Sequence, residues 1–213
     1  MNKKNISVLG GGSWGTVLAY LASLNGNYVS LWMRDKELVE TINQSRINQR
    51  YLPNLDLNSK IKATSDIKDI EDSDTVIFCV PSDAFREVSE LASSYIQESS
   101  YLITATKGVE KEGFSLMSQI LEEYYPANSI GVISGPNLAE EIAEGQLSGT
   151  VIASKDATLR DSVNKDLSND FFKVYENNDP YGVEMGGALK NIYAIACGIA
   201  DGLNSGENTI GMI

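Results

Sequence analysis

Along residues 1–180, short apolar runs rich in Val and Ile alternate with longer segments whose apolar positions recur at helical spacing. The runs predict strands over 6–9, 28–32, 75–80, 101–105, 129–134 and 150–153. Between them the period predicts helices over 14–24, 84–95, 115–123 and 138–144, with another around 158–167. Regular βα alternation implies an α/β, Rossmann-like, mostly parallel sheet with helices on both faces, joined by right-handed crossovers. Residues 41–60, polar and rich in Asn, read as a helix end followed by a loop.

The pattern changes after "FFKVYENNDP". Asp179-Pro180 is a turn and helix-start signal, and 183–203 then reads as helix without a strand signal. The expected division is a dinucleotide-binding domain over 1–180 and the start of an all-helical C-terminal domain over 181–213. A last helix is expected from Asn208 after the Ser205-Gly206 turn.

Composition narrows the chemistry. The 213 residues carry 17 Lys+Arg against 29 Asp+Glu, a net charge of -12, which argues against general affinity for nucleic acid or an anionic membrane. The longest apolar runs are far below the roughly 18 residues that span a bilayer, so no membrane insertion is expected. The glycine-bearing start does not read as a signal peptide, and a cytoplasmic location is the expectation. Without any histidine, imidazole acid/base pairs and His-based metal sites are excluded. Cys79 and Cys197 sit in apolar contexts without metal-ligand spacing, and read as free thiols.

One loop carries a phosphate signature. "ISVLGGGSWGTVLAYLA" sets Gly10-x-Gly12-x-x-Gly15 directly after a predicted strand and opens a helix with it. Gly10 would allow the tight turn, Gly12 the approach of a pyrophosphate, and Gly15 close packing of helix on strand, with the helix N-terminus facing the anion. At the end of the second strand, "SLWMRD" presents Arg34 before Asp35. Arginine there suits the 2′-phosphate of NADP and favours NADPH, whereas Asp35 keeps NAD in play.

Two lysines stand where a substrate would lie. Lys107 follows a predicted strand in "ATKGVE", at the edge of the sheet where ligands bind, although the same residue also reads as a loop lysine. "SGPNLAEE" leaves the next strand into a helix whose N-terminal turn includes Asn137, either a cap or part of an anion site. Lys190 is the one cation in "GVEMGGALKNIYAIACGIADGL". Gly186 and Gly187 lie one turn before it, which would let a ligand or backbone approach closely. A partly buried lysine there could give a proton to an alkoxide; a surface lysine on a packing helix is the plainer alternative. Asn191 beside it could orient substrate or cap backbone.

Taken in order, "GGGSWGTVLA", "LWMRD", "YLPN", "CVPS", "ATKGVE", "SGPNLAEE", "VYENNDPYGVEMGGALKNIYAIACGIADGL" and "NTIGMI" resemble the bacterial NAD(P)-dependent glycerol-3-phosphate dehydrogenases over nearly the whole chain. The resemblance implies reversible reduction of dihydroxyacetone phosphate to sn-glycerol 3-phosphate for phospholipid synthesis. It implies that Ser13, Trp14, Arg34 and Ala139 contact the cofactor and that Lys107 touches cofactor and substrate. Gly135 and Asn137 would line the substrate site, and Lys190 would exchange the proton. Asn137 stands where the family usually has Ser or Thr. Family members also continue through a longer helical domain with further site residues, so the expectation is an N-terminal fragment that binds cofactor and turns over poorly. A homodimer stays open. Two other readings are a non-catalytic NAD(P)-binding module and a related two-domain dehydrogenase of a hydroxy acid, which the loop alone would not separate.

Overall fold

The computed structural model describes residues 3–213. In chain order the strands are β1 (Asn5–Leu9), β2 (Tyr28–Trp32), β3 (Ile47–Asn48), β4 (Leu52–Asp56), β5 (Ile61–Thr64), β6 (Thr75–Phe78), β7 (Tyr101–Thr104), β8 (Ile130–Ser134), β9 (Ser148–Ala153) and β10 (Phe172–Asn177). The helices are α1 (Ser13–Leu24), α2 (Lys36–Ser45), α3 (Ser82–Ala92), α4 (Met117–Tyr124), α5 (Ala139–Ala143), α6 (Ala157–Leu167), α7 (Pro180–Gly202) and α8 (Glu207–Met212). Eight strands form one sheet in the order β10-β9-β8-β7-β6-β1-β2-β5. All its neighbours pair parallel except β8 with β9.

The period-2 alternation of the strands fills two cores, one on each face of the sheet. Ile6, Val8, Leu31 and Ile77 point to the side covered by Val17, Leu18 and Leu21 of α1 and Leu159 and Val163 of α6. Leu9, Trp32, Val76, Phe78 and Leu102 point to the other, against Phe85 and Val88 of α3 and Ile120 and Leu121 of α4. This is the doubly covered sheet that the βα alternation predicts.

Four strands go beyond the sequence reading. Residues 47–56 are not a plain loop: β3 and β4 form an antiparallel hairpin. Two edge regions, β5 and β10, extend the sheet beyond the expected strands. β5 is short, and β10 alternates inward Phe172 and Val174 with outward Lys173 and Tyr175, so neither has the continuous apolar run that marks the central strands. The C-terminal helix starts at the Asp179-Pro180 signal, with Asp179 accepting the Gly182 N–H at 2.9 Å as its cap and Pro180 as the first helical residue.

Strand order reverses at β1, which has β2 on one side and β6 on the other. The C-terminal ends are in register there: Leu9 pairs with Trp32 and with Phe78, and Phe78 with Thr104. The residues that follow, Gly10, Met33, Cys79 and Ala105, therefore meet at one edge, where open α/β sheets bind ligands.

Candidate functional site

That edge opens into a cleft of ≈ 740 Å³, within the range of about 300–1,000 Å³ typical of small-molecule sites. Its floor is the glycine loop. Gly10 has φ +125°, and a Cβ on it would collide with the Cys79 carbonyl, so only glycine lets β1 turn there beside β6. A Cβ at Gly15 would collide with the Gly10 carbonyl, which is backbone and cannot swing away. Gly12 is the N-cap of α1, has no side chain to satisfy the first turn, and no acidic residue follows in that turn. The helix thus presents unsatisfied N–H groups and its positive end to the cleft, the donor set a pyrophosphate requires.

The structure gathers Gly10, Gly12, Ser13, Trp14, Gly15, Arg34, Lys107 and Asn137 on the walls of this cleft. Gly135, Ala139, Lys190 and Asn191 lie outside its lining. Ser13 Oγ is 3.5 Å from the Tyr51 carbonyl, and the Trp14 ring leans on Phe172 with centroids 6.4 Å apart. Cys79 also lines the cleft, where burial pushes its thiol up to about 12, so it stays protonated and unreactive at neutral pH.

Lys107 Nζ donates to the Gly135 carbonyl at 3.1 Å, bridging the loops after β7 and β8. Although its side chain reaches solvent, the surrounding atoms strip enough water from the ammonium to lower its pKa from the ordinary lysine value. The charge of Lys190 lowers it further. Gly187, three residues before Lys190, lies beside Lys107, which brings the two lysines, 83 positions apart in sequence, to the same end of the sheet. The loop after Lys107 is tied back by Arg86, whose Nε and Nη2 grip both carboxylate oxygens of Glu110 at 2.5 and 3.0 Å.

Of the two sequence readings of Lys190, partly buried donor or surface lysine, the structure has it exposed, and Asn191 is exposed as well. Of the two glycines before it only Gly187 is held close: a Cβ there would strike Ser134 Oγ and come within 3.9 Å of Lys107 Cγ, whereas Gly186 faces open space. Gly187 is thus where α7 passes over the end of β8 beside Lys107. Asn137 works locally, with Nδ2 donating to the Gly149 carbonyl at 2.9 Å and Oδ1 accepting from Thr150 Oγ1 at 2.9 Å. Both ends of its amide are engaged by β9, as a fold-supporting residue would have them.

Four contributors were not legible as site residues. Asn48, fully buried in the β3–β4 hairpin, donates through Nδ2 to the Gly11 carbonyl at 3.0 Å and to Thr16 Oγ1 at 2.8 Å, bracing the glycine loop from the side. Its neighbours Arg50 and Tyr51 line the cleft. The signal available was the cation in "QRYLPN", which reads as loop until the hairpin folds it over the loop after β1.

The fourth is Glu184, 3% exposed, about one and two-thirds turns before Lys190 on α7. Its Oε1 accepts the Ser118 N–H at 3.0 Å and its Oε2 accepts from Ser118 Oγ. Leu116 cannot cap α4 with its own side chain, so a carboxylate from α7 serves the helix N-terminus and fastens α7 to the sheet domain. Burial raises the Glu184 pKa, while the donors from Ser118 oppose that shift. Glu184→Ala is expected to cost about 2 kcal/mol, because two buried donors lose their acceptor. Glu184→Gln keeps an acceptor and should cost less than about 1 kcal/mol. With the folded pKa above the unfolded one, the parent is favoured below the ordinary glutamate value and loses stability relative to Glu184→Gln as pH rises through the raised value. Urea unfolding at pH values on both sides measures this, and a Gln variant as unstable as the Ala variant at every pH contradicts it.

Among the described residues no cluster of His, Cys, Asp or Glu could hold a metal ion, and no helix is long and apolar enough to cross a membrane. Both cysteines are free.

Comparison with known proteins agrees with this geometry. The family model for the N-terminus of NAD-dependent glycerol-3-phosphate dehydrogenase matches residues 5–160, and that for its C-terminus matches 179–213. The chain is 48% identical over 208 residues to the glycerol-3-phosphate dehydrogenase [NAD(P)+] of Alcanivorax borkumensis, covering 97% of this chain and 61% of the relative. It is 47% identical to that of Acinetobacter baylyi, covering 98% of this chain and 58% of the relative. The crystal structure of glycerol-3-phosphate dehydrogenase from Coxiella burnetii superposes with a TM-score of 0.90 at 36% identity, over 99% of this chain and 65% of that one. The chain thus spans about 60% of the length of the curated relatives it matches. With the glycine loop and the switch-point cleft in the places described, the chain belongs to the NAD-dependent glycerol-3-phosphate dehydrogenase family.

Proposed function

We propose that this chain carries the cofactor cleft and proton-transfer lysine of an NAD(P)H-dependent enzyme that interconverts dihydroxyacetone phosphate and sn-glycerol 3-phosphate. The observation that supports the reading is the glycine loop and Lys107 on the walls of one cleft, with Gly187 of α7, three residues before Lys190, packed beside Lys107. Residues 1–180 would form the dinucleotide-binding part and 181–213 the beginning of a helical part, a division supported by the C-terminal family match starting at 179.

In this reading Gly10, Gly12, Ser13, Trp14, Gly15, Arg34, Lys107 and Ala139 hold the cofactor. The nicotinamide, when bound, supplies the hydride. Lys107 and Lys190 together meet the triose phosphate, with Gly135 and Asn191 around it and Asn137, its amide held by β9, fixing the loop that lines the site. Two ammonium groups in one place attract a phosphate dianion and stabilise negative charge growing on the ketone oxygen. Lys190 gives its proton to that oxygen in reduction and takes it back in oxidation. The relatives' names, which give NAD(P)+ as cofactor, support both NAD and NADP here, with NADPH favoured by Arg34. The chain would work in the cytoplasm. The apolar row Ile192, Ile195 and Ile199 on α7, continued by Leu203 at its C-cap, would be covered by a homodimer partner or by the further length its relatives carry.

Because the relatives are longer, turnover is best measured in the protein carried to their full length, with cofactor binding measured on these 213 residues. Dihydroxyacetone phosphate is expected to drain the reduced-nicotinamide absorbance and yield sn-glycerol 3-phosphate. Absorbance that decays no faster with substrate than without it contradicts the proposal.

A further inference from the structure

Arg34 does not stand alone at the mouth of the cleft. Its Nη2 lies 2.9 Å from Glu87 Oε2, on the α3 turn between Ala84 and Val88, both of which line the cleft. Beside them Arg50 Nη1 lies 3.3 Å from Asp35 Oδ2, while Asp35 Oδ1 accepts the Leu38 N–H at 3.0 Å as the cap of α2. The mouth therefore holds two guanidinium groups and two carboxylates whose charges cancel. Asp35 is committed to a backbone cap and to Arg50. Glu87 is committed to Arg34 alone among the described contacts, and its side chain is 70% exposed. An ion pair this open adds little to stability, so its consequence lies in the charge it leaves at the site.

We infer that Glu87 is a specificity-determining residue that holds back the preference Arg34 would otherwise give to NADPH. The inference rests on the reading that the cleft takes a dinucleotide with its adenosine end at Arg34. A ribose 2′-hydroxyl is neutral and can lie beside the Arg34–Glu87 pair without disturbing it. A 2′-phosphate brings close to two negative charges and must share the same guanidinium with a carboxylate. Across one guanidinium, at about 5–6 Å in a water-like and salt-screened setting, that repulsion amounts to roughly three- to tenfold in affinity. Attraction by Arg34 and repulsion by Glu87 thus partly offset each other at the 2′-phosphate of NADPH, a group that NADH lacks. A mouth of this kind accepts both cofactors, and one carboxylate sets the balance between them.

The test is fluorescence titration of NADPH and of NADH onto the 213-residue chain, for the parent, Glu87→Gln and Glu87→Lys, at low and high salt. Glu87→Gln should tighten NADPH about three- to tenfold and leave NADH within about twofold, and Glu87→Lys should tighten NADPH further. The gain should shrink as salt rises. Parent and Glu87→Gln chains that bind both cofactors with the same NADPH to NADH ratio overturn the inference alone, as does an equal change for both cofactors. A parent chain that binds neither cofactor overturns the dinucleotide reading and this inference with it.

Discussion

Gly15→Ala is expected to raise the dissociation constant for NADPH by roughly a hundredfold or more, about 2.7 kcal/mol. The added Cβ would overlap the Gly10 carbonyl, and the obstacle is main chain at a position already forced by φ +125°. Neither side can yield by a rotamer change, so α1 must lift from β1 or the loop must open. Either movement displaces the N–H groups that face the cleft. The same strain should cost about 3 kcal/mol of folding stability, at the upper end of what overpacking does, because backbone rather than side chain is in the way. NADPH fluorescence titration and urea unfolding check both numbers. Alanine at Gly12, where a Cβ meets nothing within 4 Å, should be far milder for folding and serves as the control. A Gly15→Ala chain that binds NADPH within about threefold of the parent contradicts the account of the loop.

The second large effect is expected at Lys190. In the protein carried to its relatives' length, Lys190→Met should lower kcat by about a thousandfold, roughly 4 kcal/mol, since general acid catalysis contributes about 10²–10⁴. Cofactor affinity should stay within about twofold, because Lys190 is not part of the cleft lining that holds the dinucleotide. The substitution also has a signature in the shorter chain. Removing the Lys190 charge removes one of the two causes that depress Lys107, so Lys107 should titrate at higher pH in Lys190→Met. NMR of isotopically labelled lysine side chains reads that directly. A Lys107 titration unmoved by the substitution means the two ammonium groups do not share a site.

Much of this architecture could be read from residue order, and the failures have physical causes. The central strands were legible because both faces of a covered parallel sheet must be apolar, which leaves unbroken runs such as Val76, Ile77 and Phe78. The edge strand β10 escaped because one of its faces meets solvent, breaking the run with Lys173 and Tyr175. The antiparallel turn of β9 could not be read, since pairing direction depends on where α5 and its loops deliver the chain. The glycine loop was legible because Gly10 and Gly15 answer to hard-sphere limits that any sequence must obey. Asn48 and Glu184 were not. Each acts on a segment distant in sequence, Gly11 and Ser118, so no local spacing carries the information. Glu184 in particular sits in a helix where a lone carboxylate ordinarily faces water, and only the packing of α7 on α4 reveals an acceptor that the helix N-terminus lacks.

The central claim is that cofactor and triose phosphate meet at Lys107 and Lys190. It is tested most directly by labelling lysines with an acylating reagent and reading each site by mass spectrometry, with and without NADPH and sn-glycerol 3-phosphate together. That pair fills the site without reacting. At ligand concentrations well above the dissociation constants, labelling of Lys107 and Lys190 should slow by about tenfold or more, while exposed Lys36 and Lys155 keep their rates. Equal labelling of Lys107 and Lys190 with and without the ligands, in protein shown to bind NADPH, would contradict the claim.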